Sequence, residues 1–259
     1  MRALVTGATG GIGRELAKIF AANGHDLFLV ARDAAGLAAL SKELIGVQTA
    51  WMTADLASPS APGEIFRETE KLALEIDTLV YNAGFGAYGP FSETDPAVEL
   101  AMIQVNVSAL THLTKLYLKE MIKNGSGKIL NVASTAAFQP GPLMAVYYAT
   151  KAYVLSFSEA IANETKGTGV SVTALCPGPT DTGFHKRAGT GKSKLVSGKF
   201  LNVMDARSVA EIGYRGLMKG KTVVIPGLKN KLMAESVRFA PRNMVTGIAR
   251  MVQENRDGA

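Results

Sequence analysis

In Tyr147-Tyr148-Ala149-Thr150-Lys151, one helical turn separates Tyr147 from Lys151, a spacing that stacks a phenol and an ammonium on one face. A free tyrosine titrates near pH ~10, and a neighbouring ammonium favours its phenolate, so the pair has the parts of a proton-transfer site. Ser134 closes an apolar run, Asn131-Val132-Ala133-Ser134, which puts a hydroxyl at the sheet edge where that helix begins. The Gly-x-Ser-x-Gly turn and partner histidine of a serine nucleophile are missing, so the hydroxyl reads as a donor to a developing charge.

A second constellation opens the chain. Thr6-Gly7-Ala8-Thr9-Gly10-Gly11-Ile12-Gly13 lies between a first strand and a helix with Leu16, Ile19 and Phe20 on one face. Glycines there let the backbone approach a pyrophosphate, and the helix N-terminus supplies amide donors and a favourable dipole. No Gly-Lys-Ser/Thr follows, which excludes a phosphate-transfer loop. At the end of the second strand, Ala31 cannot bind a ribose diol, whereas Arg32 could fork onto the phosphate of NADP. Asp33 competes as an NAD diol acceptor but also suits a helix N-cap. Asp55-Leu56 and Asn82-Ala83-Gly84 follow the third and fourth strands. Asp55 could accept from an adenine amine and Asn82 could pin the loop backbone, or both could be turn residues.

The elements that must position these groups alternate short apolar runs with longer helical stretches, the pattern of a doubly wound α/β domain. Strands are expected at Ala3–Thr6, Leu27–Ala31, Gln48–Thr53, Thr78–Asn82, Lys128–Ala133 and Val170–Cys176, with a seventh at Thr222–Pro226. Helices are expected at about 14–22, 34–45, 63–75, 96–123, 146–166 and 206–219. The segment 177–204, rich in Gly, Lys, Ser and Thr, reads as a flap over a site, and 228–259 reads as a basic helical extension broken at Pro241. With 259 residues, 47% of them hydrophobic, the chain can bury one sizeable core. The single cysteine, Cys176, excludes an intrachain disulfide, and three histidines offer no zinc cluster, so no metal is expected. No apolar run approaches the ~20 residues of a bilayer span. The N-terminus lacks a signal-peptide pattern, which points to the cytoplasm. The net charge of +6 is uneven: residues 1–185 hold 13 Lys and Arg against 17 Asp and Glu, and 186–259 hold 15 against 5.

In this order the motifs resemble the short-chain dehydrogenase/reductase family over roughly residues 1–227, which implies a single Rossmann-type domain with a mostly parallel seven-stranded sheet. The resemblance assigns Gly7, Thr9, Gly11, Ile12 and Gly13 to the cofactor loop, Asp55 and Leu56 to adenine, and Asn82, Ala83 and Gly84 to the strand-four motif, with Tyr81 where a second Asn is frequent. Asn106, Ser134, Tyr147 and Lys151 match the family's catalytic set. Pro177, Gly178, Thr180 and Thr182 match its segment beside the nicotinamide. Lys151 is then expected to hold the nicotinamide ribose, and Asn106 a water that links the lysine to solvent. Chemistry agrees: hydride addition to a carbonyl leaves an alkoxide that needs a proton, and Tyr147 is the acid at hand.

The expected function is hydride transfer between NADP(H), with NAD as the alternative, and a hydrophobic ketone or secondary alcohol. Phe85, Tyr88, Phe91, Phe138, Pro140, Leu143, Met144 and Phe184 suggest an apolar pocket or simply pack the loops. A catalytically silent NADP(H)-binding sensor or scaffold is the competing class, and the complete catalytic set argues against it. Expected partners are a small-molecule substrate and further copies of the chain, as a homodimer or homotetramer built on the helices at 96–123 and 146–166. The basic end could close the pocket, touch a membrane surface or dock on the sheet, but its lack of a motif and scarcity of aromatics argue against nucleic acid.

Overall fold

The structure is a computed structural model that describes residues 1–184, 188 and 203–254. Seven apolar runs form one sheet: β1 (Arg2–Thr6), β2 (Asp26–Ala31), β3 (Thr49–Thr53), β4 (Thr78–Tyr81), β5 (Gly127–Val132), β6 (Val170–Leu175) and a short β9 (Val223–Val224). Their order is β3-β2-β1-β4-β5-β6-β9, and every pairing is parallel. Parallel strands need crossover helices, and these cover both faces.

Alternate side chains leave the sheet on opposite sides. Leu4, Phe28, Leu79 and Ile129 pack with Ile65 of α3 (Ala61–Lys71), Leu113 of α5 (Leu110–Lys123) and Val154 of α6 (Ala145–Glu164). Val5, Leu27, Leu29 and Leu130 pack with Phe20 of α1 (Gly11–Ala22), Leu37 of α2 (Ala34–Glu43) and Leu217 of α7 (Ala206–Met218). These two layers make a single Rossmann-type domain, as the alternating pattern requires.

Three expected elements change most. The seventh strand shrinks from Thr222–Pro226 to two residues, because Pro226 has no N–H to donate and Gly227 turns the chain at φ +87°. The third helix stops at Lys71, short of residue 75, where Ala73 adopts φ +51°. The helix expected over 96–123 divides into α4 (Pro96–Ile103), a π-helical segment (Gln104–Ala109) and α5. The wide turn accompanies bonds made outside the helix: the Tyr81 hydroxyl donates to the Val105 carbonyl at 2.6 Å, and Asn106 turns to the loop after β4. Within the expected flap, β7 (Thr180–Asp181) pairs in parallel with β8 (Met204–Asp205), while residues 185–187 and 189–202 lie outside the described residues. The C-terminal extension forms α8 (Leu228–Ser236), a short 3-10 turn (Val237–Phe239) and α9 (Arg242–Gln253), interrupted at Pro241 as expected.

The crossover between β1 and β4 is where strand order reverses, so their loops diverge and leave a crevice at the carboxyl edge. Thr6, fully buried at the end of β1, holds that crevice in shape. Its Oγ1 accepts from the backbone N–H of Asn82 at 3.0 Å and of Ala83 at 3.1 Å. Thr6→Val keeps the shape and removes the acceptor, which should lower stability in urea unfolding by about 1–3 kcal/mol; a change below about 0.5 kcal/mol would mean that the two amides find other partners.

Candidate active site

The Gly-rich turn, the β4 loop and the start of α1 close on one another through Asn82. Its Nδ2 donates to the carbonyls of Thr6 at 3.1 Å and Gly7 at 3.2 Å. Gly7 sits at φ +65°, and a Cβ on Gly13 would lie 2.3 Å from Asn82 Nδ2 and 2.4 Å from the Gly7 carbonyl, so the turn admits no side chain at either position. Asn82 therefore does pin the loop. The N-terminus of α1 has no side-chain cap and no acidic residue in its first turn, which leaves its orphan amides for an anion. This glycine cradle and its free amides fit the pyrophosphate of a dinucleotide.

Arg32 and Asp33 follow β2 at the rim. Asp33 is the N-cap of α2, accepting from Gly36 N at 3.0 Å, which settles its role as a cap. Arg32 is exposed, lines the cleft, and makes no bond or ion pair with another described residue. Asp55 Oδ1 accepts from Ala57 N at 3.0 Å in a turn, and Asp55 also lines the cleft beside the buried Leu56.

Ser134 leaves β5 and begins a 3-10 turn, accepting from Ala136 N at 3.1 Å and donating to the Pro177 carbonyl at 3.4 Å. It caps the strand end and also reaches Tyr147 from that position. Burial pushes the Tyr147 phenol up to about 12, and a hydrogen bond with the Ser134 side chain opposes the shift. Lys151 is 5% exposed, which excludes a lysine snorkelling to the surface. Its Nζ donates to the Val132 carbonyl at 2.8 Å and stands 5.8 Å from the centre of the Tyr147 ring. No carboxylate pairs with it among the described residues, and desolvation lowers its amine to about 8. Burial pushes the neighbouring Cys176 thiol up to about 12, the Lys151 charge opposes that rise, and the thiol in turn opposes part of the fall at Lys151.

Asn106 faces the same point from the π-helical segment. Its Nδ2 donates to the Phe85 carbonyl and to Thr150 Oγ1, both at 3.0 Å, and its Oδ1 accepts from Phe85 N at 3.2 Å. A Cβ on Gly84 would lie 3.0 Å from Asn106 Oδ1 and 3.4 Å from Lys151 Nζ, so the absent side chain lets the two groups share one space. Across the cleft, Thr182 lies against the Gly-rich turn, where a Cβ on Gly11 would meet its Cγ2 at 2.8 Å. Ser134, Tyr147 and Lys151 share one cleft of about 680 Å3 with the glycines and with Pro177, Gly178, Thr180 and Thr182, and Asn106 adjoins it.

Phe85, Met144 and Phe184 line the far end of that cleft, and the Phe184 ring sits 5.3 Å from that of Tyr147. Other expected pocket residues do not. Phe91 is 68% exposed, and Phe138 and Pro140 border a separate groove under the extension. Tyr88 instead donates to the Gln253 carbonyl at 3.0 Å. Sequence reasoning missed Thr6, Thr150, Tyr148 and Gln253. Thr6 opens the Gly-rich turn, and Tyr148 and Thr150 lie in the Tyr147–Lys151 run, where their hydroxyls are the local signal, whereas nothing local marks Gln253.

Residues 1–193 match the family described as short chain dehydrogenase. The chain belongs to that family, and is an NAD(P)-dependent dehydrogenase/reductase. A putative ketoacyl reductase of Streptomyces coelicolor is 36% identical over 185 residues, 70% of each chain. A short-chain dehydrogenase from Sphingobium yanoikuyae, solved in complex with NADPH, has a TM-score of 0.83 at 31% identity and covers 100% of this chain and 98% of its own. The bulky-bulky ketone specific alcohol dehydrogenase from Comamonas testosteroni has a TM-score of 0.77 at 26% identity, with coverage of 100% and 96%.

A buried amine lowered from its ordinary 10.5 to about 8 destabilises the cofactor-free fold wherever the unfolded chain holds the proton and the folded one resists it. Lys151→Met should therefore stabilise the protein by about 1–3 kcal/mol. The gain is complete below pH 8 and vanishes above pH 10.5, a window that thermal unfolding across pH reads directly. Equal or lower stability at pH 7 would mean that the amine is well solvated or well paired.

Proposed function

We propose that this dehydrogenase/reductase interconverts a hydrophobic ketone and its secondary alcohol using NADP(H), with Tyr147 passing the proton. The observation that carries the reading is the buried Tyr147 phenol between Ser134 and the Lys151 ammonium, in a cleft whose far wall is apolar. The bound nicotinamide supplies the hydride to the carbonyl carbon, or accepts it in the reverse direction.

The amides at Thr9, Gly11, Ile12 and Gly13 would hold the pyrophosphate, Asp55 and Leu56 the adenine, and Asn82, Ala83 and Gly84 the wall beside the ribose. Pro177, Gly178, Thr180 and Thr182 would meet the nicotinamide, and Lys151 its ribose. Ser134 donates a hydrogen bond to the substrate oxygen and stabilises charge as it develops. Tyr147 gives its phenolic proton to that oxygen as the alcohol forms, and the Lys151 ammonium lowers the cost of the phenolate left behind. Asn106 supports reprotonation by holding a water against Lys151, since both reach the space at Gly84.

Arg32 supports NADP over NAD, because it stands free at the rim of the cleft with Ala31 in place of an acid. The NADPH in the Sphingobium structure and the ketone named for the Comamonas enzyme agree with both halves of the reading. Val98, Leu100 and Ile103 on α4 and Tyr153 on α6 are exposed, which supports a homodimer or homotetramer through these helices.

Tyr147→Phe should abolish ketone reduction while NADPH affinity, read by fluorescence, stays within a few fold; substantial turnover would remove Tyr147 from the acid's role. Ala31→Asp with Arg32→Ile should shift the NADP-to-NAD preference by about ten- to a hundredfold through loss of a charge-assisted contact. Unchanged selectivity in steady-state kinetics would mean that Arg32 faces solvent.

A further inference from the structure

The face of α9 turned to the domain carries Val245, Ala249 and Gln253, one helical turn apart, and all three are buried. Two are apolar and the third is a carboxamide. Burying an amide costs stability unless it is hydrogen-bonded, so a glutamine at the end of an apolar stripe needs partners. Gln253 has two. Its Nε2 donates to the Tyr148 hydroxyl at 2.6 Å, and its backbone carbonyl accepts from the Tyr88 hydroxyl at 3.0 Å. Tyr148 follows Tyr147 in sequence and packs edge-on against it with ring centres 6.0 Å apart, and Tyr88 comes from the same loop as Phe85. The clasp thus joins the C-terminal helix to both walls of the carbonyl end.

Gln253 is also a wall itself. It is 1% exposed, and it lines the cleft together with Met233 of α8, on the side of Tyr148 and Tyr147. Among the described residues its Oε1 takes part in no hydrogen bond. On the ketone reading above, we propose that Gln253 is a specificity-determining residue that sets the depth of the carbonyl pocket, closing it beyond the reacting carbon so that long ketone side chains meet the carboxamide. Tyr148 and Tyr88 act through it, by holding the helix that presents it.

The test uses a series of methyl ketones from butanone to decanone. Gln253→Ala removes the carboxamide from the wall and should raise kcat/KM for the longest members relative to the shortest by roughly tenfold, through KM and not kcat. NADPH affinity should stay within about twofold, because the cofactor end is untouched. A uniform change along the series, or a loss of NADPH affinity, would mean that Gln253 only holds the fold together and would overturn the proposal.

Binding separates this claim from the reductase reading. Tyr147→Phe and Tyr147→Phe/Gln253→Ala, both loaded with NADPH, are titrated calorimetrically with the same ketones. A selective tightening for the long ketones in the double variant upholds the pocket-depth claim even if the unmodified protein reduces none of them, in which case the reaction assignment fails alone. Equal affinities along the series in both proteins would refute it.

Discussion

A buried charged amine with no carboxylate paired to it among the described residues is the costly feature around which the rest of this molecule is arranged. Among the described residues Lys151 has one hydrogen-bond acceptor, the Val132 carbonyl, and desolvation lowers its amine to about 8 against an opposing interaction with Cys176. A folded chain tolerates such a group only where the surrounding elements hold it rigidly and function requires the charge. The elements here do so. β5 supplies the acceptor, α6 presents Tyr147 and Lys151 on one face, and the bare edge of Gly84 leaves room for the ammonium beside Asn106.

The same logic explains why a helix widens where it does. Asn106 can serve the site only if its side chain reaches back to the loop after β4, and the π-helical segment delivers it there. Tyr81, where the family often carries an asparagine, takes up the Val105 carbonyl of that segment at 2.6 Å. Tyr81 therefore braces the segment that carries Asn106, whose own contacts are with the loop at Phe85.

Much of this was legible in the residues. The alternation of apolar runs and helical stretches determines a parallel sheet, and the edge at which its loops emerge follows from chain direction, so Ser134, Tyr147 and the Gly-rich turn had to converge. Asp33 could be read two ways, and its hydrogen bond to Gly36 decides for the cap. The π-helical turn was not legible, because nothing in Gln104 to Ala109 distinguishes a wide turn from an α-helical one, and the bonds that accompany it come from Tyr81 and Phe85, both distant in sequence. Gln253 was hidden for the same reason. Its partners are 105 and 165 residues away, and only the folded chain reveals that a basic extension ends in a buried amide.

The central claim is that the buried charge at Lys151 makes Tyr147 able to lose its proton once an oxidised nicotinamide is bound. It is tested most directly by following phenolate absorbance against pH, with Tyr147→Phe as the blank, in the cofactor-free and NADP+-saturated protein. The account predicts that the phenol, held at about 12 without cofactor, titrates well below that value with NADP+ bound, and that the drop is largely lost in Lys151→Met. Identical titrations with and without NADP+, or the same drop in Lys151→Met, would contradict it.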